Sequence, residues 1–141
     1  SGGIRNGADV SKALALGADA VSIGSAAMIA IGDNDPKWEK EYKKLGTVSG
    51  AYDDWHEGND PAGISTQDKK LMKRLDPIKA GKKLSNYLKV MTLEAQTIAR
   101  ACGKNNLHNL EPEDLCALTV ESAAMARVPL AGTNWVPGLD K

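Results

Sequence analysis

Ser1-Gly2-Gly3-Ile4-Arg5-Asn6-Gly7-Ala8-Asp9-Val10, answered by Ala20-Val21-Ser22-Ile23-Gly24-Ser25, is the stretch on which the fold turns. Two glycines come first, where a strand would end. Val10, Ala13, Leu14, Leu16 and Ala18 then recur at near-helical spacing and predict a helix over 7–17. Residues 19–23 are a short, largely apolar run that predicts a buried strand. Gly24-Ser25 opens a second helix over 25–31. Strand end, helix, strand and helix start make a βαβ unit of a parallel sheet. Small residues at both strand ends leave backbone N–H groups uncovered. A helix N-terminus adds partial positive charge there. Together they form a phosphate cradle. The plainer alternative is that Gly2, Gly3 and Gly7 are turn glycines only.

Composition narrows the classes. The chain has 141 residues, with 18 Lys and Arg against 18 Asp and Glu, so its formal net charge is zero. Mixed, balanced charge argues against a nucleic-acid partner. No window approaches the roughly 20 apolar residues of a membrane helix. No signal-peptide pattern is visible, so the expected location is cytoplasmic. Cys102 and Cys116 both fall in helical patterns and read as buried thiols, not as ligands or a disulfide.

Downstream, Asp35-Pro36 reads as an acidic N-cap with Pro at the first helical position. The helix it opens runs to about Leu45, with Trp38, Tyr42 and Leu45 as the inner stripe and Lys37, Glu39, Lys40, Glu41, Lys43 and Lys44 solvated. Residues 46–63 are irregular. Asp53, Asp54, His56 and Glu57 in this loop suggest a metal site, but no ligand pair has a recognisable spacing, and a solvated turn is the simpler reading. Thr66-Gln67-Asp68 begins a helix to about Leu75. Asp76-Pro77 caps a long one to Cys102, with Leu84, Tyr87, Leu88, Met91, Ala95, Ile98, Ala99 and Cys102 on one stripe and Gly103 as its stop. Glu111-Pro112-Glu113-Asp114 is expected to start the last helix, carrying Leu115, Leu118, Ala123 and Met125. From Pro129 the chain reads as an irregular tail.

The opening motif resembles the last two strand-loop units of FMN-binding (β/α)8 barrels. Ser25-Ala26-Ala27-Met28-Ile29-Ala30-Ile31-Gly32, followed by Pro61-Ala62-Gly63-Ile64-Ser65-Thr66-Gln67-Asp68, resembles the synthase domain of glutamate synthases. Leu110-Glu111-Pro112-Glu113-Asp114-Leu115 resembles the same family. The resemblance runs from Ser1 to about Leu130. It implies an α/β fold: the C-terminal fragment of a (β/α)8 TIM barrel with a mostly helical C-terminal extension. The implied organisation is 1–32 for the last βα units, 33–66 for a loop-and-helix region, 67–128 for the helical extension and 129–141 for the tail. A full barrel takes about 250 residues, so the chain is expected to be part of a longer protein and inactive alone.

The resemblance implies FMN as cofactor, its phosphate bound by Gly2, Gly3, Gly24, Ser25 and Arg5. It implies 2-oxoglutarate or glutamate-type substrates, with the catalytic residues unassigned. Common members of the family hold a three-iron cluster on three cysteines in the region of 46–63. Here Asp60 stands where the last of them would be, and no cysteine is present. A cluster needs thiolates, so none is expected. That absence, with Tyr52-Asp53-Asp54-Trp55-His56 and Ala131-Gly132-Thr133-Asn134-Trp135, resembles the glutamate synthase-like subunit of N-methylglutamate synthase (methylamine–glutamate N-methyltransferase). A glutaminase-like subunit of a hetero-oligomer would then handle the amine. Two other classes stay open. One is a phosphate-binding barrel isomerase or synthase without flavin. The other is an interaction fragment with Trp38, Trp55 and Trp135 as anchors.

Overall fold

The computed structural model describes residues 2–50 and 57–139. Its helices are α1 (Gly7–Ala15), α2 (Ser25–Ile31), α3 (Glu39–Lys44), α4 (Lys69–Met72), α5 (Pro77–Ala101) and α6 (Val120–Ala126). Single 3-10 turns lie at Pro36–Trp38, Leu107–Asn109 and Pro112–Asp114. The chain divides into two compact units. One comprises residues 3–22 and 90–139, the other residues 23–89. Each is described by itself.

In the first unit, α1 packs on the second half of α5. Gly7, Ser11, Leu14 and Ala15 are buried on α1. Met91, Ala95 and Ala99 are buried on α5. The interface is built of small residues, so the backbones approach closely. A Cβ on Gly7 would stand 2.5 Å from the Ala95 nitrogen and 2.5 Å from the Met91 carbonyl oxygen. Gly7 is therefore neither a turn glycine nor part of a phosphate loop; it is the contact point of two helices. Ala15, Ala99 and Leu110 form one apolar cluster, with Cys102, Leu107 and Leu115 against it. Ala117, Ala123 and Val128 form another.

α5 ends as its sequence predicts. Gly103 sits at φ 74°. Its N–H donates to the Arg100 carbonyl at 2.9 Å, and the Lys104 N–H to the Ala99 carbonyl at 2.8 Å. This is a Schellman stop, which requires the left-handed conformation that glycine adopts without strain. The other end is capped by Asp76, whose Oδ1 accepts from the N–H groups of Ile78 and Lys79, both at 3.1 Å.

Four expectations are corrected. Residues 19–23 form no ladder, and the described residues contain no parallel sheet. Their single bridge pairs Ala117 with Leu130. A parallel strand takes its hydrogen bonds from neighbouring strands, and the described residues supply none for 19–23. The helix expected to Leu75 shortens to α4. The last helix starts at Val120, capped by Thr119, whose side chain accepts from the Ser122 N–H at 3.2 Å. Glu111–Asp114 is only a capped 3-10 turn, so Leu118 and Met125 are each 86% exposed. Finally, Cys116 is exposed and Cys102 half-buried, both as free thiols.

The second unit has a polar centre. Asp33, Tyr42, Asp60, Pro61, Ala62, Gly63 and Thr66 are buried there. Gly63, at φ 76°, lies against the Leu71 carbonyl, where a Cβ would collide with backbone. Arg74 Nη1 donates to the Pro61 carbonyl at 2.7 Å and to Glu41 at 2.8 Å.

Candidate functional site

The two glycine-led helix starts differ. At α1, Asn6 is the N-cap and its Oδ1 accepts from the Asp9 N–H at 2.9 Å. Asp9 Oδ2 accepts from the Arg5 N–H at 3.0 Å. The Gly7 N–H donates to Glu94 Oε2 at 2.6 Å. Lys12 lies 3.0 Å from Asp9 and holds that carboxyl below its usual range, with help from the Arg5 N–H. At the start of α1 the Gly7 and Asp9 amides are thus already paired, with Glu94 and Asn6 respectively. The Arg5 side chain is 81% exposed, and its Nε is 4.0 Å from Asp9.

At α2, Gly24 is the N-cap with φ −127° and ψ −85°, and no side chain caps the helix. The Gly24 carbonyl accepts from Ala27 and Met28 at 2.9 and 3.1 Å. The N–H groups of Ser25 and Ala26 come too early in the helix for an intrahelical partner. Nothing lies within 4 Å of where a Gly24 Cβ would stand, so no protein contact demands glycine there. Ser25 is exposed beside it. Gly2 and Gly3 are exposed at φ 84° and 72°, also with open space at the Cβ position. Their positive φ by itself favours glycine. Gly3 and Arg5 belong to the first unit, Gly24 and Ser25 to the second.

Asp33, Tyr42 and Asp60, for which the sequence suggested no common role, form a buried polar group in the second unit. Tyr42 Oη lies 2.5 Å from Asp33 Oδ1 and 3.0 Å from Asp60 Oδ1. All three residues are at most 2% exposed. Asp60 Oδ1 also accepts from the Ala62 N–H at 3.0 Å. Its Oδ2 accepts from the N–H groups of Ile64 and Ser65, both at 2.7 Å. Asp33 Oδ2 accepts from the Gly50 N–H. Burial, then the two carboxylates, push the Tyr42 hydroxyl far above its ordinary range. The periodicity places Tyr42 on an apolar stripe with Trp38 and Leu45, yet its hydroxyl faces two carboxylates. The one available signal was Asp60, an acid in a position where the resemblance calls for a ligand.

Asp53, Asp54 and His56 lie outside the described residues, as do Tyr52 and Trp55. Glu57 is exposed and accepts from Asn59 Nδ2 at 3.3 Å. Among the described residues no three His, Cys, Asp or Glu side chains are grouped to hold a metal ion. Trp38 is half-buried, with Lys37 4.6 Å and Arg74 4.7 Å from its ring centre. Trp135 is 43% exposed. Among the described residues no helix is long and apolar enough to cross a membrane.

Residues 1–37 match the FMN-dependent dehydrogenase family, and residues 51–105 match the conserved region in glutamate synthase. A glutamate synthase large subunit-like protein of Rhizobium meliloti is 81% identical over 138 residues, 98% of this chain and 31% of the relative. An archaeal NADPH glutamate synthase of Methanocaldococcus jannaschii is 40% identical over 110 residues, 78% of this chain and 18% of its own length. An archaeal-type counterpart of Dehalococcoides mccartyi is 35% identical over 136 residues, 94% of this chain and 24% of the relative. No solved structure is a significant match. The chain is thus similar over most of its length to glutamate synthases, and the first match indicates FMN as the cofactor. It spans about a third of the length of the Rhizobium relative.

Proposed function

We propose that this chain supplies the phosphate end of the FMN site in a glutamate synthase-type flavoenzyme. The observation that carries the reading is the uncapped start of α2. Two early amides and the Ser25 hydroxyl stand beside a residue with no side chain and no protein neighbour at its Cβ position. An anion fits there because the amides need acceptors and the helix end is partly positive. The start of α1, where the Gly7 and Asp9 amides are already paired, is less open, so Gly24 and Ser25 carry more of this role than Arg5. Gly2 and Gly3 are proposed for the same phosphate on the sequence resemblance alone.

FMN supplies the electron-transfer chemistry when bound. The work of this chain is to hold the phosphate and so fix where the ring lies. The substrates proposed are 2-oxoglutarate and glutamate-type molecules. The branch proposed is N-methylglutamate formation, in a cytoplasmic hetero-oligomer with a glutaminase-like subunit. The supporting feature is the cysteine-free loop, which leaves no thiolates for the cluster that common members of the family hold.

The test is Gly24→Val in the flavoprotein that carries this chain. A branched side chain in front of the amides should hold the phosphate away. The variant should purify with flavin absorbance reduced at least tenfold and a matching rise in the FMN dissociation constant. Full flavin content in a folded variant refutes the placement.

A further inference from the structure

The last turns of α5 and the loop that follows them enclose a cleft of about 370 Å³, a size within the range of small-ligand sites. Gly103 creates it. The left-handed stop turns the chain back, so residues 104–108 lie beside the part of α5 that carries Gln96 and Arg100. The whole cleft belongs to the first unit, and none of the residues proposed for the FMN phosphate lines it. Ala99 and Leu107, both of the apolar cluster, supply its apolar part. The remaining walls are polar.

Hydrogen bonds within the protein decide what those polar side chains have left to offer. Asn106 Oδ1 accepts from the His108 N–H at 3.0 Å, which leaves the Asn106 NH2 as a donor. Asn105 Oδ1 accepts from Asn109 Nδ2 at 3.1 Å, which leaves the Asn105 NH2 as well. His108 Nε2 lies 3.0 Å from the Asp19 carbonyl oxygen. A carbonyl only accepts, so Nε2 carries the hydrogen, and the neutral ring presents Nδ1 as an acceptor. Arg100 adds a planar fork of N–H donors that matches a carboxylate through two parallel bonds.

Charge narrows the ligand further. Lys104 lies 3.2 Å from Glu111 and 3.4 Å from Asp114. Two acids against one ammonium leave that side of the cleft negative, and the C-terminal end of α5 is partly negative too. A dianion such as phosphate is disfavoured there, whereas one carboxylate matches the one guanidinium of Arg100. We propose that this cleft binds a small monocarboxylate that also carries an amide. The carboxylate takes the Arg100 fork, the amide oxygen takes the NH2 groups of Asn105 and Asn106, and the amide N–H donates to His108 Nδ1.

The test titrates N-acetylglycinate into the flavoprotein that carries this chain, followed by calorimetry. Acetate, which lacks the amide, and N-acetylglycinamide, which lacks the carboxylate, are titrated beside it. N-acetylglycinate should bind with a dissociation constant of about 1 mM, and the two reference compounds about tenfold more weakly. Arg100→Gln should weaken N-acetylglycinate about tenfold. His108→Gln keeps a donor for the Asp19 carbonyl and removes the acceptor, so it should weaken N-acetylglycinate about threefold and leave acetate unchanged. Lys12→Gln removes an exposed cation of the same unit outside the cleft and should change nothing. Gly24→Val should also leave this binding unchanged, so the cleft and the flavin placement fail separately. No binding of N-acetylglycinate below about 20 mM overturns the proposal. So does equal binding of acetate and N-acetylglycinate, or a loss in Lys12→Gln or Gly24→Val as large as in Arg100→Gln.

Discussion

Replacing Gly7 by Ala tests the helix contact that holds α1 on α5. The added carbon would meet the Ala95 nitrogen at 2.5 Å, the Met91 oxygen at 2.5 Å and the Glu94 Cβ at 2.6 Å. Non-bonded heavy atoms settle at about 3.5–4.0 Å, so the start of α1 must retreat by about 1 Å. Two of the three atoms are backbone of a helix and have nowhere to go. Overpacking of this kind costs about 1–3 kcal/mol. The retreat also stretches the 2.6 Å bond from the Gly7 N–H to Glu94, a charged hydrogen bond of about 1.5–3 kcal/mol. Against this, Ala gains about 0.5–1 kcal/mol over Gly in a helix. The net expectation is destabilisation by about 2 kcal/mol. Gly81→Ala is the matched control. It lies inside α5, exposed, with nothing within 4 Å of the new carbon, and should stabilise by about 0.5–1 kcal/mol. Urea midpoints of the two variants, followed by far-UV dichroism, decide the matter. A Gly7→Ala midpoint at or above wild type would falsify the close-packed α1–α5 contact.

Gly63→Ala should be worse than either, by about 3 kcal/mol, because a positive φ and a backbone collision with Leu71 coincide; thermal unfolding measures it, and a melting temperature within one degree of wild type refutes it. Arg127 ends α6 at φ 54°, so Arg127→Gly should stabilise by roughly 1 kcal/mol in a denaturant titration. On the acid side, Asp68 and Asp76 are held below the usual aspartate range, first by the N–H groups of Leu71 and Lys79 respectively. Their folded values being the lower ones, both contribute stability above the unfolded aspartate range, and that contribution disappears as pH falls through the folded values. Asp76→Asn keeps the cap oxygen without the titrating charge. Its stability curve should be flatter than wild type below pH 4, and parallel curves would show that the cap does not titrate.

The local chemistry of the chain was legible from its residues. Asp76-Pro77 and Gly103 bracket α5 because an acidic cap, a missing N–H and a left-handed stop act within a few residues of themselves. The same holds for Asp35 before Pro36 and for Gly24 opening α2. FMN as the cofactor was implied by the resemblance of the glycine-led start to FMN-binding barrels, a likeness carried by local sequence. What tertiary structure decided is of another kind. Residues 19–23 have the composition of a strand, but a strand is defined by its partner, and composition does not supply one. Gly7 looks like any turn glycine until α5 lies against it. Leu118 and Met125 fit an apolar stripe, yet the helix begins only after the Thr119 cap, past Leu118. Above all, Asp33, Tyr42 and Asp60 are far apart in sequence, and each has an innocuous local reading. Their meaning depends on being buried together, where one hydroxyl proton between two carboxylates is a constraint that no periodicity records.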